Sequence, residues 1–121
     1  MINNLDLACE ELEAFFDKIG MPKKRVGYKY FRFAIETAMV HPEYYKNEEG
    51  MMYKYVANHF NVLPQSVEDR MTREVETLWN SEMDMLTWVI RMYHSEAIGY
   101  PNNYLFVKYV AMYLRVKCKV Q

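Results

Sequence analysis

The segment from Met52 to Trp79, MYKYVANHFNVLPQSVEDRMTREVETLW, constrains this chain more than any other stretch. Apolar residues at Met52, Tyr55, Val56 and Phe60 recur at helical spacing, and Ala57 is small where two helices would approach closely. Asn61-Val62-Leu63 reads as a turn. Pro64 suits the first position of a following helix, where its missing N–H leaves no bond unmade. Val67, Met71, Val75 and Leu78 then form one apolar stripe, closed by Trp79, while Gln65, Ser66, Asp69, Thr72, Arg73 and Glu76 fall on the opposite side. Two helices joined by a short turn, with the outer face of the second open, is the arrangement that places a recognition helix in a DNA groove. An ordinary helical hairpin has the same pattern, so periodicity alone leaves both readings open.

The rest of the chain repeats the helical period. Leu5, Ala8, Cys9, Leu12, Phe15, Phe16 and Ile19 share one face of a first helix that Asn3 or Asn4 can cap and Gly20 ends, and its other face is acidic. After a break at Met21-Pro22, a second helix from about Val26 to Val40 buries Tyr30, Phe31, Ala34, Ile35 and Ala38, and Pro42 stops it. A turn around Glu43 to Tyr45 leads to Gly50 and the helix pair. Asn80-Ser81 punctuates, and Met85, Trp88, Val89 and Met92 mark a further helix. Gly99-Tyr100-Pro101 is a turn, and Asn102 or Asn103 can cap a last helix carrying Phe106, Val107, Val110, Ala111 and Leu114. The expectation is an all-α, compact five- to six-helix domain containing a helix-turn-helix. Residues 1–20 form an acidic amphipathic helix ahead of the main unit, 21–121. With 121 residues the chain can bury one core without disulfide or metal staples.

The chemistry-bearing residues argue against an enzyme. No glycine-rich phosphate loop is present, and the four glycines read as isolated turn or terminus residues. His41, His59 and His94 lack partners at metal spacing. Glu48-Glu49 and the pair Glu74/Glu76 read as solvated acids, the last two on different faces of their helix. Cys9 and Cys118 match no metal or redox spacing, and Cys9, on an apolar face, reads as a buried reduced thiol. Ten methionines and eleven tyrosines suit core filling. No catalytic residue, metal or cofactor is expected. Without a membrane-span-length apolar run or a signal-peptide layout, the expected location is cytoplasmic with no membrane contact.

Charge is uneven. The net of −1 divides into −4 over residues 1–20 and +3 over the remainder, where Lys23, Lys24, Arg25, Lys29 and Arg32 cluster with no acid among them. Such a cluster is either solvated surface or a phosphate-facing patch.

Gly27-Tyr28-Lys29-Tyr30-Phe31-Arg32-Phe33-Ala34-Ile35 resembles a glycine-tyrosine pair followed by a Tyr-Leu-Arg-Glu-Ala-Ile run in the C-terminal DNA-binding domain of the stage-zero sporulation response regulators of endospore-forming Firmicutes. Met52 to Asn61 is similar to that family's Leu-Tyr-Pro-x-Ile-Ala-Lys-Lys-Phe-Asn, and Val67-Glu68, Val75-Glu76 and Trp79 fall where its recognition helix has Val-Glu, Ile-Glu and Trp. No gap is needed from Gly27 to Trp79. After one deletion, Pro101-Asn102-Asn103 through Phe106, Val110, Ala111, Leu114 and Arg115 resembles the family's closing helix, so the likeness covers roughly residues 22–117.

The resemblance implies a regulator of transcription that binds duplex DNA, and two departures qualify it. Family proteins carry a phosphoacceptor receiver ahead of this domain, for which 121 residues leave no room, and an acidic helix stands in its place. The family also has arginines at the positions of Ser66, Asp69 and Thr72, and a histidine at that of Arg73. Arginine reads guanine with two hydrogen bonds, so this face should read a different sequence or meet a protein instead. The expected base contacts are Gln65, Ser66, Asp69, Thr72 and Arg73. Phosphates are expected at Lys24, Arg25 and Lys54 and at the helix N-termini at Pro64 and Asn102. The alternative is an interaction module that kept the fold and lost DNA binding. The apolar face of the first helix must pack either on its own domain or on a second copy, and the expectation favours a homodimer through it.

Overall fold

The computed structural model describes residues 4–41, 43, 49–80 and 102–119, with the backbone alone of Glu49, Trp79 and Asn80. Among these residues there are five helices and no strand: α1 (Asn4–Ile19), α2 (Val26–Val40), α3 (Glu49–Phe60), α4 (Pro64–Asn80) and α5 (Asn103–Lys117). The all-α expectation holds. The helix expected around Met85 to Met92, the Gly99–Pro101 turn, Pro42, Tyr45 and the Trp79 side chain lie outside the described residues.

Local chemistry sets the boundaries. Gly20 ends α1 in the left-handed region at φ 76°, and the Met21 N–H donates to the Phe16 carbonyl at 3.0 Å. That bond satisfies a carbonyl the helix end would leave open, and it turns Met21 inward, where it is buried. Asn61 does the same for α3 at φ 56°, with the Val62 N–H donating to the Ala57 carbonyl at 3.0 Å. Asparagine tolerates this conformation better than other residues with a Cβ. At the start of α5 the Asn102 side chain accepts from the Leu105 N–H at 2.8 Å, so Asn102 is the cap.

α2 lies at the centre and packs on α1, α4 and α5. Its Phe31 meets Phe106 of α5 with ring centroids 4.7 Å apart, and its Tyr28 meets Phe16 of α1 at 5.0 Å. The Arg115 guanidinium of α5 donates to the Met39 carbonyl near the C-terminus of α2, where the helix dipole favours a cation. Phe16, Phe31 and Phe106 are fully buried, as are Leu12, Ile35, Met71 and Leu114. Every residue expected to be buried in α2 and α5 is buried.

Of the two destinations for the apolar face of α1, the structure shows the domain itself. Ala8, Leu12, Phe15, Phe16 and Ile19 join the common core, and Phe15 packs on Tyr113 of α5 at 6.0 Å. Glu11 pairs with Lys117 at 2.9 Å, and the Asn4 amide donates to the Lys119 carbonyl at 3.0 Å. This packing covers the face within one chain, and a homodimer through this helix is not shown.

Four smaller expectations need correction. Tyr55 is 40% exposed and stacks on Phe33, while its neighbour Tyr53 is the buried tyrosine of α3. Cys9 is half-buried, and Cys118 is the buried thiol; burial raises the pKa of both above the ordinary thiol value, which favours the unreactive protonated form. Glu74 is buried, not solvated. Gly27 is no turn residue but lies in the first turn of α2, where a Cβ would stand 2.5 Å from Glu74 Cγ and 3.1 Å from the Arg70 carbonyl oxygen. Only a residue without a side chain lets α4 come this close.

Candidate nucleic-acid interface

The apolar stripe of α4 decides which of its faces is free. Val67, Met71, Val75 and Leu78 are at most 2% exposed, packed against α2 and α3. Pro64 is the first residue of α4, as expected, and the Leu63 carbonyl accepts the first helical bonds from Ser66 at 3.0 Å and Val67 at 3.3 Å. The α3–α4 pair is thus a helix, a turn over Asn61–Leu63 and a second helix.

A buried polar contact locks that pair to α5. Asn103, 4% exposed, points its amide nitrogen at Thr72 Oγ1 (2.9 Å), the Tyr53 hydroxyl (3.0 Å) and the Glu68 carbonyl (3.4 Å). The amide has two hydrogens for three acceptors, so the longest contact is the weakest. One side chain thereby fixes α3, α4 and α5 to one another.

The outer face of α4 is where the candidate reading residues stand. Gln65, Ser66, Asp69 and Arg73 are exposed, and the Gln65 amide donates to Asp69 Oδ1 at 2.9 Å. Thr72 departs from the expectation: it is half-buried, and its hydroxyl accepts from Asn103. Its oxygen serves the interior and does not join the other four.

The basic cluster before and along α2 is more neutralised than its sequence suggests. Lys23 meets Asp17 at 2.9 Å and Glu13 at 3.5 Å, and the hydrogen bond to Asp17 leads the causes that raise its pKa. Arg32 is held by Glu36 at 2.9 Å, and Lys29 lies over the Phe60 ring. Arg25, the residue before α2, makes no side-chain cap; its guanidinium reaches Glu74 Oε1 at 3.4 Å. Lys24 has no acidic or aromatic partner among the described residues.

Lys24 and Arg25 share a hollow of about 400 Å³ with Arg70, Arg73 and the buried Glu74. Four cations and one acid give this edge a positive balance, continuous with the outer face of α4 through Arg73. The expected phosphate residues are therefore divided: Lys24 and Arg25 stand with Arg73, whereas Lys54 lines a separate hollow with Met51, Tyr55, Val62 and Pro64.

Sequence reasoning gave Arg70 and Tyr53 no role, read Glu74 as solvated and offered Asn103 only as a helix cap. Arg70 lay within reach, being exposed one helical turn before Arg73. The burial of the other three depends on neighbours distant in sequence and left no local signal. Among the described residues no cluster of His, Cys, Asp and Glu could hold a metal ion, and no helix is long and apolar enough to cross a membrane.

Residues 12–114 match the family described as "Sporulation initiation factor Spo0A C terminal". The match spans most of the chain, from the middle of α1 to the last buried leucine of α5, and includes the whole α3–turn–α4 unit.

Proposed function

The chain belongs to the Spo0A C-terminal family, and from that premise we propose that it binds duplex DNA sequence-specifically, laying α4 in the major groove, and so regulates transcription. The observation that carries this reading is the division of α4 into an inner side, held by its buried stripe and by the Asn103 bonds to Thr72 and Glu68, and an exposed face carrying Gln65, Ser66, Asp69 and Arg73. A recognition helix needs both: rigidity behind and hydrogen-bonding groups in front.

Arg73 supplies a guanidinium for the O6/N7 edge of guanine, and Gln65 an amide for adenine. Asp69 accepts from the Gln65 amide, an arrangement that presets that amide and leaves a carboxylate oxygen for a cytosine amino group. Lys24, Arg25 and Arg70 face phosphates along the edge of the hollow, and Lys54 faces them from α3. Thr72 has no direct part in base reading.

Selection of bound fragments from random duplexes, followed by a salt titration, tests the proposal. Affinity should fall with salt at a slope of about −0.9 per phosphate neutralised. Lys24→Ala should weaken all sequences alike and flatten that slope by about 1, while Arg73→Ala should relax preference at one base position. Absence of duplex binding even at low salt would overturn the reading in favour of an interaction module built on the same fold.

A further inference from the structure

Leu63 breaks two local rules at once. It is 71% exposed, and it stands at the cap position of α4, its carbonyl accepting from the Ser66 and Val67 N–H groups. Serine, threonine, aspartate or asparagine is favoured there, because their side chains also bond an open N–H of the first turn; leucine forgoes that bond. A single exposed apolar residue is ordinary, and Val116, 73% exposed in the last turn of α5, is one such. Leu63 differs in that a polar residue would serve the helix better.

Its neighbours are accounted for. Val62 lines a hollow with Ala57, the residue whose carbonyl receives its N–H, and Pro64 opens the helix. Leu63 is also held stiffly, with the Asn61 turn on one side and on the other a proline that restricts the residue before it to extended conformations. The result is a restrained backbone at the tip of α4 that carries an exposed isobutyl group just ahead of Gln65 and Ser66 in the chain.

We propose that Leu63 is a specificity residue that reads the 5-methyl group of a thymine. The inference rests on the reading that α4 enters the major groove. In that groove the base edges present hydrogen-bonding groups and one apolar substituent, the thymine methyl. An aliphatic side chain at the leading end of the helix has that group as its complement, and the contact restores what the missing cap and the exposed surface forgo.

Uracil in place of thymine removes the methyl and nothing else. Within the preferred duplex, each thymine is replaced in turn, and binding is measured for the intact chain, Leu63→Ala and Leu63→Ser. One replacement should weaken the intact chain about fourfold, the loss expected for one buried methyl group, and leave both variants indifferent at that position. Leu63→Ser should in addition melt at a higher temperature, since it regains a cap while losing the methyl preference. If every replacement leaves the intact chain unchanged, or if the variants keep its full sensitivity, the inference falls while DNA binding stands. If no duplex is bound at low salt, both fall together.

Discussion

α1 and α4 are amphipathic helices of nearly equal length, 16 and 17 residues, and each buries one apolar stripe in the same core. They part on their polar sides. Three of the five acids of α1 pair with lysines within the chain, Glu13 and Asp17 with Lys23 and Glu11 with Lys117. On the outer side of α4, Gln65 and Asp69 bond each other, and Arg70 and Arg73 border an open hollow. Surface ion pairs contribute little to stability, so the matching on α1 matters less as energy than as a sign of use. A polar face engaged by its own domain belongs to a scaffold, whereas a face left over is available to something else. Amphipathicity alone does not separate the two cases.

The comparison breaks first, and most visibly, on the buried sides. Phe16→Ala in α1 should lower unfolding free energy by about 3–5 kcal/mol and Met71→Ala in α4 by about 2–5 kcal/mol, both read by denaturant titration. A loss under about half a kcal/mol at either position would show that its stripe is not core.

Gly27→Ala sharpens the comparison at the α2–α4 contact. The added methyl meets the Arg70 carbonyl and the Glu74 side chain, and overpacking of this kind costs about 1–3 kcal/mol. Asn103→Ala should cost a similar amount, about 1–3 kcal/mol, by removing the buried donor to Thr72 and Tyr53. It should also weaken base preference without touching an outer residue, which a DNA titration beside a thermal melt would reveal.

The smallest effects on stability separate the polar faces. Glu11→Gln and Arg73→Ala should each change it by no more than about 1 kcal/mol. Only Arg73→Ala should alter which duplexes are selected. Equal effects of the two on selection would erase the distinction between scaffold and reading helix.

The elements themselves were legible in the chain. Pro64, Gly20 and Asn61 mark ends through backbone rules that act within a few residues, and the bounds of α2 and the start of α4 follow directly. The outer face of α4 was legible for the same reason, as the complement of an apolar stripe. Thr72 was misplaced because it lies at the border of that stripe, where a partner elsewhere decides the orientation of a hydroxyl. The pairing within the basic cluster, which the sequence left open between solvated surface and phosphate-facing patch, was only partly legible. Glu36, one helical turn after Arg32, signalled one of its pairs, but Asp17 and Glu74 come from other helices and gave none. Burial of Glu74 depends on Gly27 on α2, which no reading of α4 alone contains.

The Asn103 contact also sets an order of events. Its partners at Tyr53, Glu68 and Thr72 lie 50, 35 and 31 residues earlier in the chain. As the chain grows from its N-terminus, α3, the turn and α4 are complete well before that amide is made. During this interval the pair has local contacts to draw on but not the side chain that clamps it. On the reading proposed above, competence to bind DNA arrives with α5 rather than with α4, and a chain cut between the two would carry every proposed reading residue on an unfinished mount.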